Sequence, residues 1–176
     1  MIKFLIVVFS TVLLASCGES KSESDSETSG PDPKIGQVQE DLTAAKKVWQ
    51  DNGLIDYTFN FYSLPGQECM PEGVVVDPLP HRIVTVEDNE VVYVENGDSG
   101  EPMEISTAGI IGTIDDVFDY LEQKLSEKPA VISEDSNKQN ELPVFNESFG
   151  YPESFYLRID HDDGCDATYI SLSQLR

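Results

Sequence analysis

Basic residues are scarce in this chain: 11 Lys and Arg stand against 33 Asp and Glu in 176 residues, a formal net charge of −22. Such a field repels phosphate, so no nucleic acid partner is expected and anionic lipid headgroups are disfavoured, while cations and basic surfaces are left open. Histidine is nearly absent, with 2 in the chain. No HExxH, CxxC or glycine-rich phosphate loop occurs, which removes the signatures of zinc-protease, dithiol and nucleotide chemistry. No cofactor is implied. The apolar run from Phe4 to Ala15 is too short to span a bilayer, since a membrane helix needs about 20 residues.

That run is nonetheless informative. Residues 1–16 offer one basic residue, Lys3, then the apolar stretch, then small residues, the parts of a secretory signal peptide. The segment Leu14-Ala15-Ser16-Cys17-Gly18 resembles the lipobox of bacterial lipoproteins. The resemblance implies cleavage before Cys17, a diacylglyceryl thioether on its sulfur and often an N-acyl chain. Two or three chains hold a protein at a membrane stably where one binds marginally. Gly18 stands where the inner-membrane retention signal of such lipoproteins is typically aspartate, so the expected address is the cell envelope, lipid-anchored at the outer membrane.

Residues 17–36 are expected to be the lipidated cysteine and a flexible, acidic, Ser-rich tether, because residues 19–34 have almost no apolar surface to offset the entropy of ordering. Residues 37–176 have the size of one compact domain. Of the 3 cysteines, lipidation of Cys17 leaves Cys69 and Cys165. In an exported, oxidising compartment these are expected to form a disulfide, which would contribute roughly 4 to 5 kcal/mol at best through chain entropy.

Within the domain, Val38, Leu42, Ala45 and Trp49 recur at helical spacing, and Asn52-Gly53 supplies a stop. Tyr57, Phe59 and Phe61 alternate with polar residues in a half-buried strand from Ile55 to Leu64. A second extended piece is expected from Gly73 to Val76, ending near Pro78 and Pro80. Arg82 to Val86 and Val91 to Val94 form the clearest hairpin, separated by Glu87-Asp88-Asn89-Glu90. Both its faces are partly apolar, which suits either a covered strand pair or a partner surface. Thr113 can cap a second helix whose apolar stripe is Ile114, Val117, Phe118, Leu121 and Leu125, with Pro129 closing it. Residues 134–140 read as polar and mobile, and strands are expected over Leu142 to Phe145, Ser154 to Asp160 and Ala167 to Leu172. The expected fold class is α+β: an antiparallel sheet of about five to seven strands with two α-helices packed on one face.

Two loops invite chemical readings. Gly97-Asp98-Ser99-Gly100 has the look of the serine loop of trypsin-like proteases, but this chain has no matching histidine motif and is too short for a two-barrel body, so it reads as turn material. The run Asp160-His161-Asp162-Asp163-Gly164-Cys165-Asp166 clusters carboxylates in a turn. Asp160, Asp162 and Asp163 are weak calcium candidates, because Gly164 takes a ligand position of an EF-hand-like loop and no closing glutamate follows. The same carboxylates are the candidates for an alternative reading as a hydrolase or lyase.

Several motifs in order resemble a bacterial domain-of-unknown-function family numbered 6174, whose members are secreted proteins and lipoproteins. They are Trp49 followed by Asp56-Tyr57-Thr58-Phe59, then Val84 to Val91, Thr113 to Phe118, and Phe149-Gly150-Tyr151-Pro152 leading into Phe155 to Asp160. The chain departs from that pattern in its longer acidic loop from Glu127 to Asn140. The resemblance implies an α+β fold and brings no catalytic residues. The preferred expectation is a noncatalytic, membrane-tethered binding module that contacts an envelope protein.

Overall fold

A computed structural model describes residues 30–65, 80–159 and 166–176. Helix α1, Ile35–Asn52, buries Val38, Leu42, Ala45 and Trp49, the stripe that its spacing dictates. It ends where Gly53 turns left-handed at φ 62 and donates its N–H to the Gln50 carbonyl at 3.1 Å. Helix α2, Ile114–Ser126, opens with a capping box: the Asp116 N–H donates to Thr113 Oγ1 at 3.2 Å and the Thr113 N–H returns to Asp116 Oδ2 at 2.8 Å. Ile114, Val117, Phe118, Leu121 and Leu125 are its buried face.

The strands are β1 Tyr57–Pro65, β2 Arg82–Glu87, β3 Glu90–Asn96, β4 Val131–Ser133, β5 Val144–Phe145, β6 Pro152–Ile159 and β7 Asp166–Ser173. All pairs are antiparallel, in the order β3-β2-β1-β7-β6-β4, with β5 pairing β6 beside β4. Among the described residues the fold is therefore α+β with two helices on one face of a seven-stranded antiparallel sheet. Register fixes which side chains meet that face: Phe59 lies opposite Val84, Phe61 opposite Leu172, and Phe155 opposite Ile170, and all six are buried. Trp49 joins the layers, its ring 5.1 Å edge-on from Tyr57 and its Nε1 donating to Asp115 Oδ2 at 3.2 Å. Lys46 of α1 reaches Asp119 and Glu122 of α2 at 2.8 and 3.0 Å. Gly150, at φ 84, lets the turn before β6 pass against the backbone of α1 at Ala45 and Trp49.

The chain enters the fold earlier than its composition suggests. Asp32, 7% exposed, accepts from the Lys34 N–H at 2.8 Å and from the Ile132 N–H at 2.9 Å, and donates its own N–H to Pro129. Lys34 Nζ donates to the Ile132 and Gln139 carbonyls. The side chains of Asp32 and Lys34 thus serve Ile132 of β4 as a neighbouring strand would, so the expected tether, residues 17–36, yields its last five residues to the domain.

Three local expectations change. Strand β4 was not foreseen, because three residues after a proline carry no alternation. The strand expected over Leu142 to Phe145 is only Val144–Phe145, since Pro143 has no N–H for a ladder. Residues 134–140, expected to be mobile, are tied down: Asp135 Oδ1 accepts from the Asn137 and Lys138 N–H groups at 2.6 and 3.0 Å, and Lys138 Nζ reaches Glu134 at 2.7 Å.

Candidate functional site

Cys17, Cys69, Cys165, Asp160, Asp162 and Asp163 all lie outside the described residues, as does the extended piece expected from Gly73 to Val76. Among the described residues, no three His, Cys, Asp or Glu side chains converge to hold a metal, and no helix is long and apolar enough to cross a membrane. Ser99 sits in a turn built on Asn96, whose Oδ1 accepts from the Asp98 and Ser99 N–H groups at 2.9 and 3.1 Å. The ring of His81 is stacked on Tyr62 at 4.8 Å.

Arg82 is fully buried, though a strand-opening arginine reads as a surface residue. Its Nη2 donates to Ser63 Oγ at 2.9 Å, its guanidinium lies 5.0 Å over the Phe61 ring, and among the described residues Nε and Nη1 have no hydrogen-bond partner. Burial pushes its pKa below the usual arginine value. No solvent reaches it, so it is part of the core and not of a surface site.

The distinctive surface is the corner built by β2 and β3. Asp88 and Asn89 take φ 50 and 63, the two positive values that a type I′ hairpin turn demands and that Asp and Asn tolerate. The turn is fixed to the residues before β1: the Asp88 N–H donates to Asp56 Oδ1 at 2.8 Å and the Asn89 N–H to the Ile55 carbonyl at 3.0 Å. Pairing then slips. Thr85 faces Tyr93 while Val86 faces Val91, so Val92 is an extra residue in a bulge. At the edge of the sheet, this leaves Val92 45% and Tyr93 39% exposed.

Past the strand the chain doubles back. The Met103 N–H donates to the Val94 carbonyl at 2.8 Å and the Asn96 N–H to the Glu101 carbonyl at 2.9 Å, which covers the far half of the edge. This leads into a single 3-10 turn, Ile105–Thr107, where Ile105 is 41% exposed. Among the described residues, three of the five exposed large apolar side chains, Val92, Tyr93 and Ile105, therefore belong to this corner.

Carboxylates occupy the rest of it. Glu87, Asp88, Glu90, Glu95, Asp98, Glu101 and Glu104 lie along this segment, and among the described residues none of them forms an ion pair. From Ile83 to Gln123 the sequence contains no Lys, Arg or His. Tyr93 donates to Glu95 Oε2 at 3.4 Å, and desolvation, then the Glu95 charge, raises its pKa. The sequence shows the hairpin and leaves open whether its apolar residues are covered or exposed; Val92 and Tyr93 are exposed. The absence of any base from Ile83 to Gln123 was the signal that marked the corner.

Exposed tyrosine and aliphatic side chains at this corner are thus rimmed by carboxylates that, among the described residues, form no ion pair. No family model matches the chain, and no curated protein or solved structure matches it. The family resemblance therefore rests on the sequence motifs alone.

Proposed function

We propose that this chain is a lipid-anchored, noncatalytic binding module of the bacterial cell envelope that holds another envelope protein at its β2–β3 corner. The observation that carries the reading is the cluster of exposed Val92, Tyr93 and Ile105 within a segment whose carboxylates form no ion pair among the described residues. An aromatic anchor of that kind supplies contact area at low entropic cost. The lipobox-like segment ending at Cys17 supports the envelope address, and Cys69 and Cys165 remain for one disulfide.

A photo-reactive benzoylphenylalanine in place of Tyr93, in the tagged natural protein, tests the corner in native envelopes. Adducts from position 93 and none from Asp41, which is exposed on α1, are the expected result; equal labelling from both would refute the reading. Intact-mass analysis of the same protein should show cleavage before Cys17, an added diacylglyceryl group and no alkylation of Cys69 or Cys165 without reductant. Cys17→Ala should release the protein from the membrane fraction.

A further inference from the structure

We infer that the partner at this corner is cationic and amphipathic: a protein segment offering Lys or Arg to the carboxylates and apolar side chains to Val92 and Tyr93. This inference rests on the reading just given and adds the partner's chemistry. Charge complementarity is its first support. Glu90 and Glu101 are exposed and, among the described residues, without ion pairs, so each is hydrated, and a partner's ammonium or guanidinium meets no competing cation there.

The place where the rest of the chain joins the fold is the second support. Asp32 and Lys34 fasten the N-terminal segment to Ile132 of β4, and β4 and β3 are the opposite rims of the sheet. Five strand spacings of about 4.8 Å put the corner roughly 24 Å from that point. The preceding residues are themselves acidic, with Glu19, Glu23, Asp25 and Glu27 against Lys21. Like charge therefore disfavours the chain's own N-terminal segment as occupant, and the corner is left to another molecule.

The test uses the full protein and synthetic 12-residue peptides, one alternating lysine with valine and one lysine with serine, titrated by fluorescence anisotropy. Glu90→Lys with Glu101→Lys should weaken the lysine–valine peptide about tenfold, as expected for two surface charges reversed near the contact. Glu40→Lys with Asp41→Lys makes the same change of net charge on α1 and should cost less than about twofold. The lysine–serine peptide should bind about tenfold more weakly, and Val92→Ser with Tyr93→Ser should erase that difference between peptides.

Equal losses from the two charge reversals would mean only general attraction to an acidic globule, and equal binding of the two peptides would remove the apolar half; either overturns the inference. If position 93 cross-links to an acidic protein face, the inference fails while the binding reading stands. If it captures nothing yet the peptide results hold, the corner's selectivity stands and the envelope role falls.

Discussion

Replacing Gly150 with alanine perturbs the joint between the helical layer and the sheet. Two costs add. At φ 84 a side chain meets backbone resistance of roughly 1 to 2 kcal/mol. The new Cβ would also press on the Ala45 carbonyl oxygen and stand 3.0 Å from both the Trp49 nitrogen and the Val48 Cβ. Those neighbours are largely helix backbone and cannot turn aside, so α1 must lift from the sheet at the turn that buries Ala45 and Trp49. Overpacking of this kind costs about 1 to 3 kcal/mol, for a total of about 2 to 5 kcal/mol.

Two other glycines isolate the contributions. Gly53, at φ 62, has nothing within 4 Å of a built Cβ, so Gly53→Ala should cost about 1 kcal/mol from backbone conformation alone. Gly36 lies inside α1 with open space around it, and Gly36→Ala should stabilise by about 0.5 to 1 kcal/mol. Urea unfolding of the full protein, fitted with a common slope, ranks the three. Equal losses at 53 and 150 would refute the close approach of the turn to α1.

Thr113→Ala removes the capping box of α2 and should cost about 1 to 2 kcal/mol in the same urea assay; a loss below about 0.3 kcal/mol would mean that the cap is redundant. Burial raises the pKa of Tyr57 to about 12, above the usual value of 10.0. Because the folded value lies above the unfolded one, this contribution is fully present below pH 10 and is lost as pH rises toward 12, about 2 to 3 kcal/mol in all. Tyr57→Phe should flatten the stability profile across that window, and an unchanged alkaline slope would contradict the assignment. Arg82→Met keeps the volume and removes two buried nitrogens that have no hydrogen-bond partner among the described residues, so it should be neutral or stabilising by thermal melt; a loss above about 2 kcal/mol would refute this, by showing that the contacts to Ser63 and Phe61 outweigh the unpaired donors.

The helices were legible because each stripe is a local property: Val38, Leu42, Ala45 and Trp49, and again Ile114 through Leu125, need only a 3.6-residue period to be recognised. Tyr57, Phe59 and Phe61 declare a strand in the same way. What stayed hidden depends on distant chain. That β1 lies between β2 and β7 follows from its pairing with β7, which joins residues as distant as Asn60 and Ser173. The burial of Arg82 follows from its register opposite Phe61, and the exposure of Val92 and Tyr93 from the rank of β3 as an outer strand with a bulge. The hairpin was therefore visible as a shape, but whether its apolar residues faced a neighbour or water was not.

The hold of Asp32 and Lys34 on Ile132 bears on behaviour in a crowd. Bare sheet margins recruit one another, and the hazard grows with local density. Here the leading stretch of polypeptide acts as a bumper along one margin, so copies packed side by side have no ribbon to zip onto there.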